Sequence, residues 1–343
     1  MSYEIQVMNP SSLKRPLRKI SLVLLAALVG LLMVELTLRL FFPQYYPVIP
    51  AAYEYDPETA FRLRPKAHLF ATTDFQQESI SNSLGTANFQ ENFDGYEELI
   101  FAVGDSYTQG TGAPADMSYP AQLDLILNQD ERGFYVKKFG VVNLGVAGFG
   151  GEQSLINLSR WATRLRPPAI ILYLGCDNDF EDDLAFRSGD RHLIVVAGSP
   201  SWGSLTRPLR LLLEDTHIGL LARATYSQRL RDRMVKEATK QSGEKPSVAQ
   251  LELPILARVK SYAEKHNSVL IVSWSEETES YTWLKSWAAQ HGIAFADWAP
   301  KANSVREVMP RLTLKNQHSG GHHRGWANQS IAMEFARQIR AQR

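Results

Sequence analysis

The chain has 343 residues, with 37 Lys and Arg against 36 Asp and Glu, a formal net charge of +1. That balance, with no basic stripe carrying interleaved aromatics, argues against a nucleic-acid partner. Its one cysteine, Cys176, excludes an intrachain disulfide and any cysteine-rich zinc motif.

In chain order, the first feature is a basic N-terminus, 1–19, in which Lys14, Arg15, Arg18 and Lys19 stand just before an apolar run. Ile20–Val34 carries no charge, and the apolar character continues to Phe42, broken only by Glu35 and Arg39. As a helix, 20–42 spans about 34 Å at 1.5 Å per residue, enough for a hydrocarbon core of about 30 Å. Glu35 and Arg39 are spaced i,i+4 and can pair, Arg39 can reach the far interface, and Pro43 ends the helix. The expectation is a single-pass signal anchor in the cell membrane. By the positive-inside rule the basic end is cytoplasmic and everything after Pro43 is extracytoplasmic, on the periplasmic side. A cleaved signal peptide is the competing reading, but no small-x-small site follows Val34 closely, and no cysteine is there to carry a lipid.

Residues 43–60, rich in Pro and Tyr, read as an extended linker. From about residue 61 the chain reads as one α/β domain running to residue 343. After a turn-rich stretch, "SNSLGTAN", strand and helix patterns alternate. Leu99–Val103, "YVKKFGVVNLG", "AIILYLG", "SVLIVSW" and "IAFADW" are the expected strands. "YPAQLDLILNQ", "EQSLINLSRWATRLR", "YTWLKSWAAQH" and "NQSIAMEFARQIRAQ" are the expected helices. That alternation predicts a central parallel sheet covered by helices on both faces, a three-layer sandwich. About 181–245 breaks the rhythm, with one apolar run, "HLIVVAG", and then a basic helical stretch. It reads as an insertion over one end of the sheet, its cations a solvated face.

In a doubly wound sheet, ligands bind beyond the C-terminal strand ends. Three loops should meet there: "GDSYTQG" after the first strand, "NLGVAGFGG" after the second and "GCDNDF" after the third. Ser106 supplies a hydroxyl at a helix start, where its own N–H is unspent. Gly148, with Gly145 as its competitor, can donate a backbone N–H at close approach, and Asn178 a side-chain amide. Such a set could hold a developing oxyanion. Serine needs a base, and "NQHSGGHHRGWANQSIA" brings histidines just before the last helix. No GxSxG elbow or GxxxxGK[ST] loop is present. Glycines between His318 and His322 break a helical i,i+4 pair and argue against a metal, and no cofactor is implied.

In this order, "GDSYTQG", "NLGVAGFGG", "GCDNDF" and the late histidine resemble the four blocks of the SGNH/GDSL hydrolase family. "YDPE", "RLRP" and "SNSLG" upstream look like the lead-in of its bacterial membrane-anchored members. The resemblance implies a flavodoxin-like fold and a serine acyl-ester hydrolase of esterase or deacetylase type. It implies Ser106 as nucleophile, His322 as base, and an oxyanion hole from Gly148, Asn178 and the Ser106 N–H. Asp105 in such loops braces the turn. The implied partner is an acyl ester, with acetylated cell-envelope carbohydrate as the substrate suggested by location. Two departures stand out. The aspartate usual before the histidine falls on Ser319 or Gly320, neither acidic, and Cys176-Asp177 separate the block's glycine from Asn178. His323 therefore stays open as an alternative base. An O-acetyltransferase using the same acyl-serine, or a non-catalytic binding protein on the same scaffold, stays open as an alternative function.

Overall fold

We describe the protein from a computed structural model, over residues 10–42, 50–72, 76–129, 133, 136–187, 216–243, 248–316 and 321–343. They form two compact units. The first is Met1–Tyr45 with Ser204–Tyr226, and the second is Tyr46–Gly203 with Ser227–Arg343.

Helix α1, Pro10–Phe41, belongs to the first unit. Within it Arg18–Phe41 is long and apolar enough to cross a membrane, and none of it is buried. Strands β1, Tyr53–Asp56, and β2, Ala60–Leu63, then pair as an antiparallel hairpin, as do β3, His68–Thr72, and β4, Gln76–Ile80. The stretch expected as linker therefore contains a strand. Ala52, Tyr53, Phe61 and Leu63 pack with Val146, Ala147 and Phe149, so β1 belongs to a core cluster.

The α/β pattern follows: β5 Glu98–Gly104, α2 Ser106–Gln109, α3 Tyr119–Asn128, β6 Phe139–Asn143, α4 Gly151–Arg164, β7 Ile170–Gly175 and α5 Asp179–Arg187. Next come α6 His217–Ser242, α7 Val248–Leu251, α8 Leu253–Lys265, β8 Val269–Trp274, α9 Glu279–Gln290, β9 Ala294–Phe295, α10 Ala299–Val308 and α11 Gly325–Ala341. Where described, the insertion is helical, as the end of α5 and as α6. "HLIVVAG", 192–198, lies outside the described residues. The expected strand "IAFADW" shrinks to the two residues of β9.

Five strands form one parallel sheet in the order β6-β5-β7-β8-β9. Numbered by appearance within the sheet, that is the 2-1-3-4-5 order of flavodoxin-like folds. Right-handed crossovers require α3 on one face and α4, α8 and α9 on the other. Consistently, α3 packs with α11, and α4 with α8. The central strands are continuous apolar runs because both faces are covered; Ile100–Val103 and Ile170–Leu174 are at most 1% exposed.

The register decides where chemistry can sit. Gly104 pairs with Leu174, and Gly175 with Trp274, so β5, β7 and β8 end level. Asp105-Ser106, Cys176 and Ser275-Glu276 therefore leave the sheet at one rim. The chain steps from β5 to β6 on one side and then to β7 on the other, so this rim is the topological switch point.

Candidate active site

Asp105 caps α2: its Oδ1 accepts from Tyr107 N at 2.9 Å, fixing the turn that presents Ser106. Its Oδ2 lies 3.0 Å from the Ser106 hydroxyl. On the other side of that hydroxyl stands His322, with Nε2 2.7 Å from Oγ. Ser106 thus sits between a carboxylate and an imidazole, both within proton-transfer reach.

The backbone N–H groups around Ser106 are nearly all spent. Gln109 N donates to Asp105 O, and Gly110 N and Thr111 N to Ser106 O. Ser106 N itself donates to no acceptor among the described residues. The second loop repeats the pattern. Gly145 N donates to Asn143 Oδ1, Val146 N to Gly104 O, Ala147 N to Gln109 Oε1 and Phe149 N to Val146 O. Gly148 N is left without an acceptor there. Gly145 has another duty: a Cβ on it would lie 2.2 Å from Gln109 N, so its absent side chain lets the loop lie against α2.

The third loop reaches the serine through sulfur. Cys176 Sγ is 3.1 Å from Asp105 Oδ2, 3.0 Å from Asp179 Oδ1 and 3.1 Å from Asn178 Oδ1. Burial, then the Asp105 and Asp179 carboxylates, push the thiol pKa well up, so it stays protonated and acts as a brace. Asn178 Nδ2 spends one hydrogen on Asp182 Oδ2, at 2.9 Å, and keeps a second. Asp177, the extra residue of this block, accepts from Trp274 Nε1 at 2.8 Å and ties the loop to the end of β8. Asp105, Cys176 and Asp179 are also a compact set of metal-type donor atoms, all within 4.8 Å of one another. Each is already engaged in the hydrogen bonds just described.

The two neighbouring histidines differ sharply. His322 lies against Tyr107, ring centroids 5.1 Å apart, with Nε2 on the serine. His323 is enclosed edge-on between Tyr107 and Trp298, and burial drives its pKa down to about 3, leaving it neutral. His318, Ser319 and Gly320, where an acidic partner was sought, lie outside the described residues.

Several residues that hold this arrangement carry no motif. Asn316 N donates to His322 O at 3.0 Å, while Asn316 Nδ2 donates to Gly112 O at 2.7 Å and to His322 O at 3.3 Å. That clamp joins the histidine strand to the loop after α2. A Cβ on Gly112 would lie 2.6 Å from His322 Cβ, so only glycine permits the approach. Tyr107 donates through its hydroxyl to Glu276 at 2.7 Å, and Lys315 closes on the same carboxylate. Burial works to raise the Glu276 pKa, but the Lys315 ammonium and the Tyr107 hydroxyl outweigh it and hold it low. Gln109 links three segments, accepting from Tyr53 Oη at 2.9 Å and Ala147 N at 2.7 Å and donating to Ser79 Oγ at 3.3 Å.

Behind the third loop lies a buried acidic group. Asp179, Asp182, Asp183 and Glu252 are each at most 5% exposed. Burial is the largest cause that raises the pKa of all four; Asp105 and Glu252 add to it at Asp179, Glu152 at Asp183, Asp183 at Glu252, and Asp105, Glu181 and Asp183 at Asp182. Glu252 Oε2, Asp183 Oδ2 and the Tyr173 hydroxyl have no hydrogen-bond partner among the described residues.

No family model and no curated protein matches the chain. Solved structures do. A lipolytic protein of the G-D-S-L family from Veillonella parvula DSM 2008 aligns at 15% identity and a TM-score of 0.38, over 69% of this chain and 94% of its own. Another, from Desulfitobacterium hafniense DCB-2, aligns at 13% identity and 0.40, over 71% and 99%. A catalytic mutant of an acetylxylan esterase from Geobacillus stearothermophilus aligns at 15% identity and 0.37, over 72% and 96%. Of the four loops expected to meet at this rim, those carrying Ser106 and His322 are in direct contact. Gly148 joins them through the loop held by Gln109, and Asn178 through Cys176 and Asp105.

Proposed function

We propose that this chain is a serine acyl-ester hydrolase of the SGNH/GDSL family. The observation that carries the reading is the 2.7 Å contact between Ser106 Oγ and His322 Nε2, beside two unspent backbone N–H groups. In the first half-reaction, Ser106 Oγ attacks the ester carbonyl as His322 takes its proton. The oxyanion is held by the N–H groups of Ser106 and Gly148 and the remaining amide hydrogen of Asn178. Collapse expels the alcohol, which receives the proton from His322. Water then attacks the acyl-serine, His322 takes its proton, and the acid leaves as Oγ is reprotonated. Asp105 competes for the hydroxyl hydrogen, so the productive rotamer turns that hydrogen toward His322.

The reading extends to location. α1 is a membrane anchor, with its basic end in the cytoplasm and the hydrolase domain on the other side. An acetylated envelope carbohydrate is the substrate that suits that position.

A serine-directed fluorophosphonate and a chromogenic acetyl ester test the proposal. Wild type is expected to label and to hydrolyse the ester, and Ser106→Ala to do neither. An unlabelled wild-type protein would leave a binding role on the same scaffold. Acetyl appearing on added oligosaccharide, with little free acetate, would make the enzyme a transferase.

Asn316 acts through His322 as a positioning residue. Asn316→Ala is expected to lower kcat by about 10- to 100-fold with KM nearly unchanged, the cost of a base set slightly off line. Steady-state kinetics on the folded variant check this, and a change in KM alone would contradict it.

A further inference from the structure

Glu35 is an acidic residue inside an apolar helix. Its Oε1 accepts from Arg39 Nε at 2.8 Å and from His217 N at 3.0 Å, and its Oε2 accepts from Ile218 N at 3.0 Å. Both oxygens of one carboxylate thus cap the first turn of α6, a helix that starts 182 residues further along the chain. Thr216 Oγ1 adds the local cap, accepting from Gly219 N at 3.1 Å. All these residues belong to the first compact unit.

The depth of this contact follows from helix geometry. Glu35 lies six residues before Phe41, about 9 Å along the axis from the helix end at 1.5 Å per residue. The apolar segment Arg18–Phe41 is about 35 Å long at the same rise. A hydrocarbon layer of about 30 Å centred on it therefore ends beyond Glu35 on the outer side. A backbone bonded to Glu35 must sit at that level. The residues there suit it: "HIGLLA", His217–Ala222, is apolar after its first residue, and Leu221 is 42% exposed.

We infer that the first turns of α6 enter the outer boundary of the bilayer beside α1, docked on Glu35, and that their partner is lipid. This rests on the reading of α1 as a membrane anchor. A carboxylate that would be costly alone in the membrane is matched by Arg39 and two helix N–H groups, and the start of α6 gains a fixed foothold on α1. α1 is then a structural part of the mature chain as well as its tether.

The test uses the full-length protein in phosphatidylcholine vesicles, with an environment-sensitive fluorophore on Leu221→Cys. The native Cys176 is buried and stays unlabelled under mild conditions. Nitroxide lipids carry the quencher either near the headgroup or near the bilayer centre. The Leu221→Cys label is expected to be quenched by the shallow nitroxide and protected from aqueous iodide, and to lose most of that quenching when Glu35→Ala is added. A Leu28→Cys label on α1 is expected to respond to the deep nitroxide in both backgrounds, and fluorophosphonate labelling of Ser106 reports that the hydrolase domain is folded. If Leu221→Cys responds only to iodide while Leu28→Cys remains lipid-exposed, the docking is overturned and the anchor stands. Undiminished quenching in Glu35→Ala overturns the role of Glu35, and a Leu28→Cys label blind to lipid removes both readings.

Discussion

Replacing His322 by alanine is expected to cut kcat by at least about 10³-fold, whereas His323→Gln should stay within about tenfold of wild type. The two residues are adjacent, yet only His322 touches the serine hydroxyl, at 2.7 Å. His323 is enclosed by Tyr107 and Trp298, and with a pKa near 3 it is already neutral at working pH, so a neutral amide of similar size changes little electrostatically. Initial rates on a chromogenic ester, normalised to folded protein, give the comparison. A collapse of activity in His323→Gln with a mild effect in His322→Ala would exchange their roles.

The second large effect concerns stability. Glu252→Gln is expected to stabilise the protein by about 1–2 kcal/mol at pH 8 and to be neutral near pH 4. In the folded state burial, and then Asp183, raise the Glu252 pKa above its unfolded value. Between those two values the folded state binds more protons than the unfolded one, so stability falls as pH rises. Below the unfolded value, near 4.3, both forms are protonated and the penalty disappears. Removing the ionisable group removes the slope without opening a cavity. Asp183→Asn is expected to act in the same direction, for the same reason. Urea titrations across pH 4 to pH 9 check both; a stability that climbs with pH in wild type and is untouched in Glu252→Gln would contradict the account. One member of the acidic group, Asp182, accepts from the Asn178 amide.

Ordered blocks made much of this legible. Ser106 and His322 could be paired from sequence because the serine sits at a strand-to-helix junction and the histidine in the loop just before the last helix. The central strands were legible because Ile170–Leu174 and its neighbours are unbroken apolar runs. The hairpins of 53–80 were not, because strands of four and five residues give only weak alternation, and the first of them lies within the stretch read as linker. α8 had a usable signal in Ile255, Leu256, Val259 and Ala263, whose buried spacing follows one helix face. Asn316 had none. Its value lies in two carbonyls, one of them 204 residues away, and no local pattern records a contact made across the fold. That Gly145 N is spent on Asn143 while Gly148 N meets no acceptor among the described residues likewise became visible only when the donors of the loop were followed one by one.

The link from Tyr53 to Gln109 sets where this chain can be cut. A truncated form starting at Phe61 discards β1 and with it the phenol that holds Gln109, the residue bridging the serine helix and the glycine loop. A form starting before Ala52 keeps both. The bridge between the serine helix and the glycine loop therefore depends on a residue 56 positions upstream, and only a chain that begins before that alanine keeps it whole.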